Sequence, residues 1–163
     1  MTEAVGETKG MINDTIETVR RISKDLLPSS LEKFGLSQAL EELCEKVSNP
    51  ITKVVYEQKG EALEIPISKQ LLLYRMVQEL VNNALKHAEA PQIDVKFNWH
   101  TGLDLIVKDN GKGFDLEATR KDIKKGVGLY NIENRASLLD GDVTFESSPG
   151  KGAMVKIVIK NFD

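Results

Sequence analysis

Apolar side chains at Ile12, Ile16, Val19 and Leu26, with Ser23 in the remaining slot, recur at alternating steps of four and three residues. That is the seam of a coiled-coil-like helix. A helix this short is marginal alone in water, so the seam calls for a partner helix, and Pro28 stops it. After a linker over residues 29–35, Ser37 is placed to N-cap a helix that buries Leu40, Leu43 and Val47 and ends at Asn49 and Pro50. Residues 51–59 are rich in β-branched and aromatic side chains and close with Gly60, which reads as a strand. From Ile67 to His87, Leu73, Val77, Leu80 and Ala84 share one stripe, predicting a helix about 30 Å long.

The period then changes to two. Ile93, Val95, Phe97 and Trp99 alternate, a turn at His100 to Gly102 reverses the chain, and Leu103, Leu105 and Val107 alternate back. A charged segment, Phe114 to Lys125, is expected to be a loop leading to Gly126 and Gly128, followed by a helix from Leu129 to Leu139. Val143 and Phe145 facing Val155, Ile157 and Ile159 across Pro149 to Gly152 make a closing hairpin. No repeat is present. Helices segregated from hairpin-connected strands argue for an α+β two-layer sandwich, a mixed, mostly antiparallel sheet against one helical layer, since a doubly wound fold would alternate strand and helix throughout.

A length of 163 residues suits one core with a modest appendage, and 40% apolar with 29% charged residues is ordinary for a folded soluble chain. The net charge of -3 gives no reason for binding nucleic acid or anionic lipid. The single cysteine, Cys44, excludes an internal disulfide and reads as core packing beside Leu40, Leu43 and Val47. No apolar run approaches the ~20 residues that span a bilayer. The chain is expected to be cytoplasmic and without direct membrane contact; membrane segments of a larger parent would lie outside it.

On the long helix Glu79, Asn83 and Lys86 stand at i, i+4 and i+7, at the boundary between core and water. A carboxylate and an amide oxygen there could hold a hydrated Mg²⁺, and Lys86 could meet phosphate. The spacing alone equally fits an ordinary polar helix edge. Alternation directs Asp109 to the side of Leu103, Leu105 and Val107, so its carboxylate faces the core and needs a donor, for which an exocyclic amine would serve. Gly111 and Gly113 in the following turn would let the backbone approach a ligand, although Asp-Asn-Gly is also a common turn. Gly126-Val127-Gly128 just before a helix could offer free N–H groups to phosphate, or be a flexible loop.

In this order the elements resemble the GHKL ATPase superfamily of gyrase-type topoisomerases, heat-shock chaperones, histidine kinases and mismatch-repair ATPases, from about Leu63 to Ile159. Glu79-Leu-Val-Asn-Asn83-Ala-Leu-Lys86-His87 is similar to that family's N box. Asp109-Asn-Gly111-Lys-Gly113-Phe114, Gly126-Val127-Gly128-Leu129 and Gly150-Lys-Gly152 are similar to its three glycine boxes. The resemblance implies a Bergerat-type sandwich that binds ATP and Mg²⁺. It implies Asn83 as the metal ligand, Asp109 as acceptor of the adenine amino group, Lys86 and His87 beside the phosphates, and the segment between the glycine boxes as an ATP lid. Glu79 would orient the acceptor or take its proton.

Lys86-His87 and the run Gly128 to Leu139 further resemble sensor histidine kinases of two-component systems. Leu26-Leu-Pro28-Ser-Ser-Leu31-Glu-Lys-Phe-Gly35-Leu36 resembles the junction after the second dimerisation helix of the nitrate-sensor-like class. Residues 1–28 would then end a dimerisation helix and residues 29–163 form the ATP-binding domain. A histidine on a helix absent from this chain would accept the phosphoryl group, and the full-length kinase would be a homodimer with a response regulator as partner. Two positions depart from the family: Ala153 stands where a threonine is usual beside the adenine, and Asp140-Gly141 replaces paired glycines. A non-catalytic nucleotide-switched module and an anti-sigma-type serine kinase are the alternatives. His100 reads as a turn residue and Trp99 as packing.

Overall fold

The computed structural model describes residues 10–16, 18 and 26–162. Residues 10–16 are helical, with Ile12 and Ile16 exposed on them; Val19 and Ser23 lie outside the described residues. The body consists of α1 (Ser29–Val47), β1 (Lys53–Lys59), α2 (Ile67–His87), β2 (Gln92–Trp99), β3 (Leu103–Asp109), α3 (Leu116–Lys121), α4 (Ile123–Ser137), β4 (Gly141–Ser147) and β5 (Ala153–Ile159).

Among the described residues the strands form a five-stranded sheet in the order β1-β2-β3-β5-β4. β1 runs parallel to β2, to which α2 connects it, and the remaining pairs are antiparallel. One face is apolar: Ile93, Val95, Phe97 and Trp99 of β2 and Leu103, Leu105 and Val107 of β3 are buried, as the alternation requires. Leu73, Met76, Val77, Leu80 and Val81 of α2 cover it, and α1 lies against α2 and β1. The other face carries exposed ion pairs, including Lys96 with Glu57 and Lys156 with Asp104. Burial alone would raise the Asp104 carboxyl, but His100 and Lys156 hold it below the usual carboxylate range.

Three expectations need correction. Residues 29–35 are not a linker: helix begins after Pro28, breaks at Gly35 (φ 82°, ψ -178°) and resumes. Glycine reaches that φ without a Cβ penalty, so the break costs little. Ser37 does not cap the second part; its hydroxyl donates to Gln58 Oε1 at 2.5 Å, tying α1 to β1.

Residues 114–125 are likewise not a loop. Asp115 Oδ1 accepts from Ala118 N at 3.0 Å and starts α3, and Asp122 Oδ1 accepts from Lys124 N and Lys125 N at 3.0 and 3.4 Å and starts α4. The charged side chains are the solvated faces of two capped helices.

Cys44 sits in the core beside Leu40 and Leu43, and burial pushes its thiol up to about 12. It should therefore resist a thiol reagent at pH 8 in the native state and react fully in denaturant. Stoichiometric labelling of the native chain on the timescale of a free thiol would contradict this packing.

Candidate functional site

The sheet register sets the site's floor. Ser147 pairs with Ala153, Ala153 with Asp109 and Asp109 with Ile93, so one row crosses four strands. Directly paired residues share a face, which carries Asp109 to the inner side at the end of the central strand, 7% exposed. Its Oδ1 accepts from Gly111 N at 2.8 Å. Among the described residues no hydrogen bond reaches Oδ2, which keeps contact with solvent and so leaves an acceptor open to a ligand.

The chain after Asp109 is held on both sides. Asn110 Oδ1 accepts from Gln92 N at 2.9 Å, and Lys112 N donates to Ala88 O at 2.8 Å. A Cβ on Gly111 would lie 2.1 Å from Ala88 O, and one on Gly113 (φ 63°) 2.1 Å from Ser148 O. On the side where a Cβ would project, what these glycines admit is other segments of the chain. Gly152 (φ 68°) meets Asp109 O in the same way, at 2.2 Å. Beyond these contacts, Lys112 Nζ pairs with Glu89 at 2.6 Å; the hydrogen bond and the ammonium charge hold the exposed Glu89 carboxyl below its usual range.

Because Ala88 ends α2, these bonds bring the last turn of α2 to the end of β3. Asn83 and Glu79 are half-buried on that helix, while Lys86 and His87 are exposed in its last turn, where cations also suit the helix dipole. A Cβ on Gly128 would lie 3.5 Å from Asn83 Nδ2, so α4 stands beside Asn83. Asp109, Asn83 and Gly128, 19 to 45 residues apart in sequence, are thereby gathered at one end of the molecule. His100 is at the opposite end of β3, about 20 Å away at ~3.3 Å per residue. Its Nδ1 accepts from Gly102 N at 3.1 Å, which leaves the ring proton on Nε2 toward Asp104 Oδ1 at 3.2 Å.

The second glycine pair does not precede a helix. Gly126 N donates to Asp122 O at 2.8 Å, so Gly126, Val127, Gly128 and Leu129 lie inside α4, with Val127 exposed and Leu129 packed on the core. Two helical glycines cost roughly 1 kcal/mol each relative to alanine, and the Asp122 cap offsets part of this. Sequence reasoning also missed Ser147. Its Oγ accepts from Phe114 N at 2.9 Å and donates to Gly152 O at 3.0 Å. No local pattern marks a serine whose partners lie 33 residues upstream and five residues downstream.

A sheet backed by one helical layer, with a buried acid, a helix-borne amide and glycine turns at one end, is the architecture of an ATP-binding sandwich. Residues 68–162 match the model of the histidine kinase-, DNA gyrase B-, and HSP90-like ATPase family, and the chain belongs to that family. It is an ATP-binding domain. The signal transduction histidine-protein kinase/phosphatase DegS of Bacillus subtilis (strain 168) is 34% identical over 137 residues, taking in 81% of this chain and 36% of that protein. The chain thus spans about a third of that relative's length.

Among solved structures, the ATP-binding domain of PrrB from Mycobacterium tuberculosis superimposes with a TM-score of 0.58 at 18% identity, over 76% of this chain and 91% of that one. The Acinetobacter baumannii histidine kinase AdeS does so with a TM-score of 0.59 at 16% identity, over 94% and 84%. At such identities the likeness establishes the fold.

Gly152→Ala would drive a methyl group into the Asp109 carbonyl at a left-handed φ. The expected loss is about 2–4 kcal/mol, a fall of about 5–15 °C in melting midpoint for a chain of this size. A melting curve superimposable on the unaltered chain's would contradict the packing.

Proposed function

We propose that this chain is the ATP-binding part of a two-component sensor histidine kinase and serves transfer of the ATP γ-phosphoryl group to a histidine on a dimerisation helix. The observation that carries the reading is Asp109, a buried carboxylate with one oxygen bound to Gly111 N and the other open to a donor. An adenine amino group is such a donor, and burial strengthens the discrimination because a wrong base leaves the oxygen unpaired. Residues 1–28 then end a dimerisation helix and residues 29–163 form the nucleotide domain. Exposed Ile12, Ile16 and Leu26 support a packing partner for that helix, as in a homodimer of the nitrate-sensor-like class with a response regulator downstream. Use of ATP puts the domain on the cytoplasmic side.

The residues on α2 fit Mg²⁺. Among the described residues no three His, Cys, Asp or Glu side chains converge, so a metal here takes Asn83 as its protein ligand and completes its shell with phosphate and water, as this hard ion does. When bound, it offsets phosphate charge during transfer. Lys86 and His87 supply further positive or donor groups at the end of the same helix. Gly126 to Leu129 reach phosphate with their N–H groups once the first turn of α4 opens, since Gly126 N is otherwise committed to Asp122 O. In the transfer the bond from the γ-phosphorus to the bridging oxygen breaks and one to an imidazole nitrogen forms. ADP departs, and Glu79 orients the imidazole or takes its proton. Ala153, directly paired with Asp109, lacks the hydroxyl that the family usually places there, so the base is held with one polar group fewer.

Asp109→Asn turns part of the acceptor into a donor and should weaken ATP binding by about ten- to a hundredfold, some 1.5–3 kcal/mol. Calorimetry giving an unchanged dissociation constant would sink the assignment. Asn83→Ala should weaken ATP in Mg²⁺ far more than it weakens adenosine, and equal losses would make Asn83 a fold residue. Radiolabelled ATP should leave no acid-labile phosphate on this chain, because His100 is at the wrong end of β3 and His87 is fixed to the helix that lines the site. Labelling of either histidine would overturn the reading.

A further inference from the structure

Two loops wall the end of β3, residues 110–114 after β3 and residues 148–152 between β4 and β5, and α3 and α4 separate them in sequence. They are joined by Gly150 N donating to Lys112 O at 2.6 Å and by the hydroxyl of Ser147, which takes Phe114 N at 2.9 Å and gives its proton to Gly152 O at 3.0 Å. Of these links the serine is the one made by a side chain, and both of its hydrogen-bonding directions are used. Its two partners lie at the points that matter for a ligand. Phe114 is the last residue before Asp115 caps α3, and so is the root from which the 115–121 segment departs. Gly152 packs on the Asp109 carbonyl and precedes Ala153, the ladder partner of Asp109.

We infer that Ser147 is a positioning residue for nucleotide binding: its hydroxyl fixes the root of the segment 115–121 to the loop beside Asp109. The inference rests on the ATP reading above and adds a residue to it. Ser147 touches no nucleotide in this scheme; it acts through Phe114 and Gly152. With the hydroxyl removed, Phe114 N loses its partner, the root of the segment gains freedom, and ordering that segment over the phosphates becomes more costly. Adenosine, which has no phosphates for the segment to cover, is largely indifferent to this. A purely structural role would instead weaken both ligands alike.

The test compares Ser147→Ala with Ser147→Thr, the second keeping a hydroxyl at a strand position that tolerates β-branching. Amide exchange at Phe114 and over residues 116–121 is followed by NMR in the free chain, and ATP and adenosine are titrated into each variant. Expected are faster exchange at Phe114 and an ATP affinity about three- to tenfold lower in the alanine variant, adenosine affinity within about twofold of the unaltered chain, and recovery of both readouts in the threonine variant. Unchanged exchange and ATP affinity in Ser147→Ala would overturn the inference, as would equal loss of both ligands or a threonine variant that behaves like alanine. Failure of the unaltered chain to bind ATP would strike the nucleotide reading itself, while the Phe114 exchange comparison still judges the serine's hold on the segment.

Discussion

Backbone meeting backbone at the end of β3 is the constraint on which the site depends. Carbonyls of Ala88, Ser148 and Asp109 occupy the space where side chains on Gly111, Gly113 and Gly152 would begin. The last turn of α2, the loop after β3 and the turn between β4 and β5 can therefore touch, and hydrogen bonds from Lys112 N and Gly150 N lock them. A buried carboxylate at a strand end is unfavourable unless something holds its donors in place. Here the locked turn presents Gly111 N to Asp109 Oδ1 and keeps the second oxygen free.

The same meeting point orients α2. The helix is anchored in the core by Leu73, Met76, Val77, Leu80 and Val81, with Asn83 and Glu79 at the edge of that buried stripe. An edge position gives a polar side chain partial burial without loss of access, which suits a group that must hold an ion or a phosphate in a fixed direction. Lys86 and His87 fall in the last turn, where the dipole favours positive charge before any ligand arrives.

Capping by carboxylates shapes the segment that follows Phe114. Asp115 and Asp122 each take N–H groups at a helix start, and the cap at Asp122 draws Gly126 into α4. Arg120 adds a pair with Glu133 at 3.0 Å and lies 5.4 Å from the Phe145 ring centroid. The segment is thus folded on the body through polar contacts at its surface and the partly buried Leu116, with no side chain of α3 fully buried. Such contacts are worth little individually, which makes this the part of the site most readily rearranged.

Much of the fold was legible in the order of residues because burial on one face imposes a period. The run from Ile67 to His87 forms one helix with those bounds, and the two-residue alternation of β2 and β3 placed Asp109 on the inner face without reference to any other element. The resemblance to the ATPase family rested on motifs whose order alone is specific. Beyond that, local pattern ran out where partners are distant. A charged stretch with two glycines looks the same as a loop or as capped helices, and the difference lay in which donors Asp115 and Asp122 found. Likewise the glycines at 111, 113 and 152 declared a need for space but not its occupant, and Ser147 declared nothing. Those answers required the strands to be in register, because steric exclusion and hydrogen bonding act through space over a few ångströms between segments that the chain separates by tens of residues.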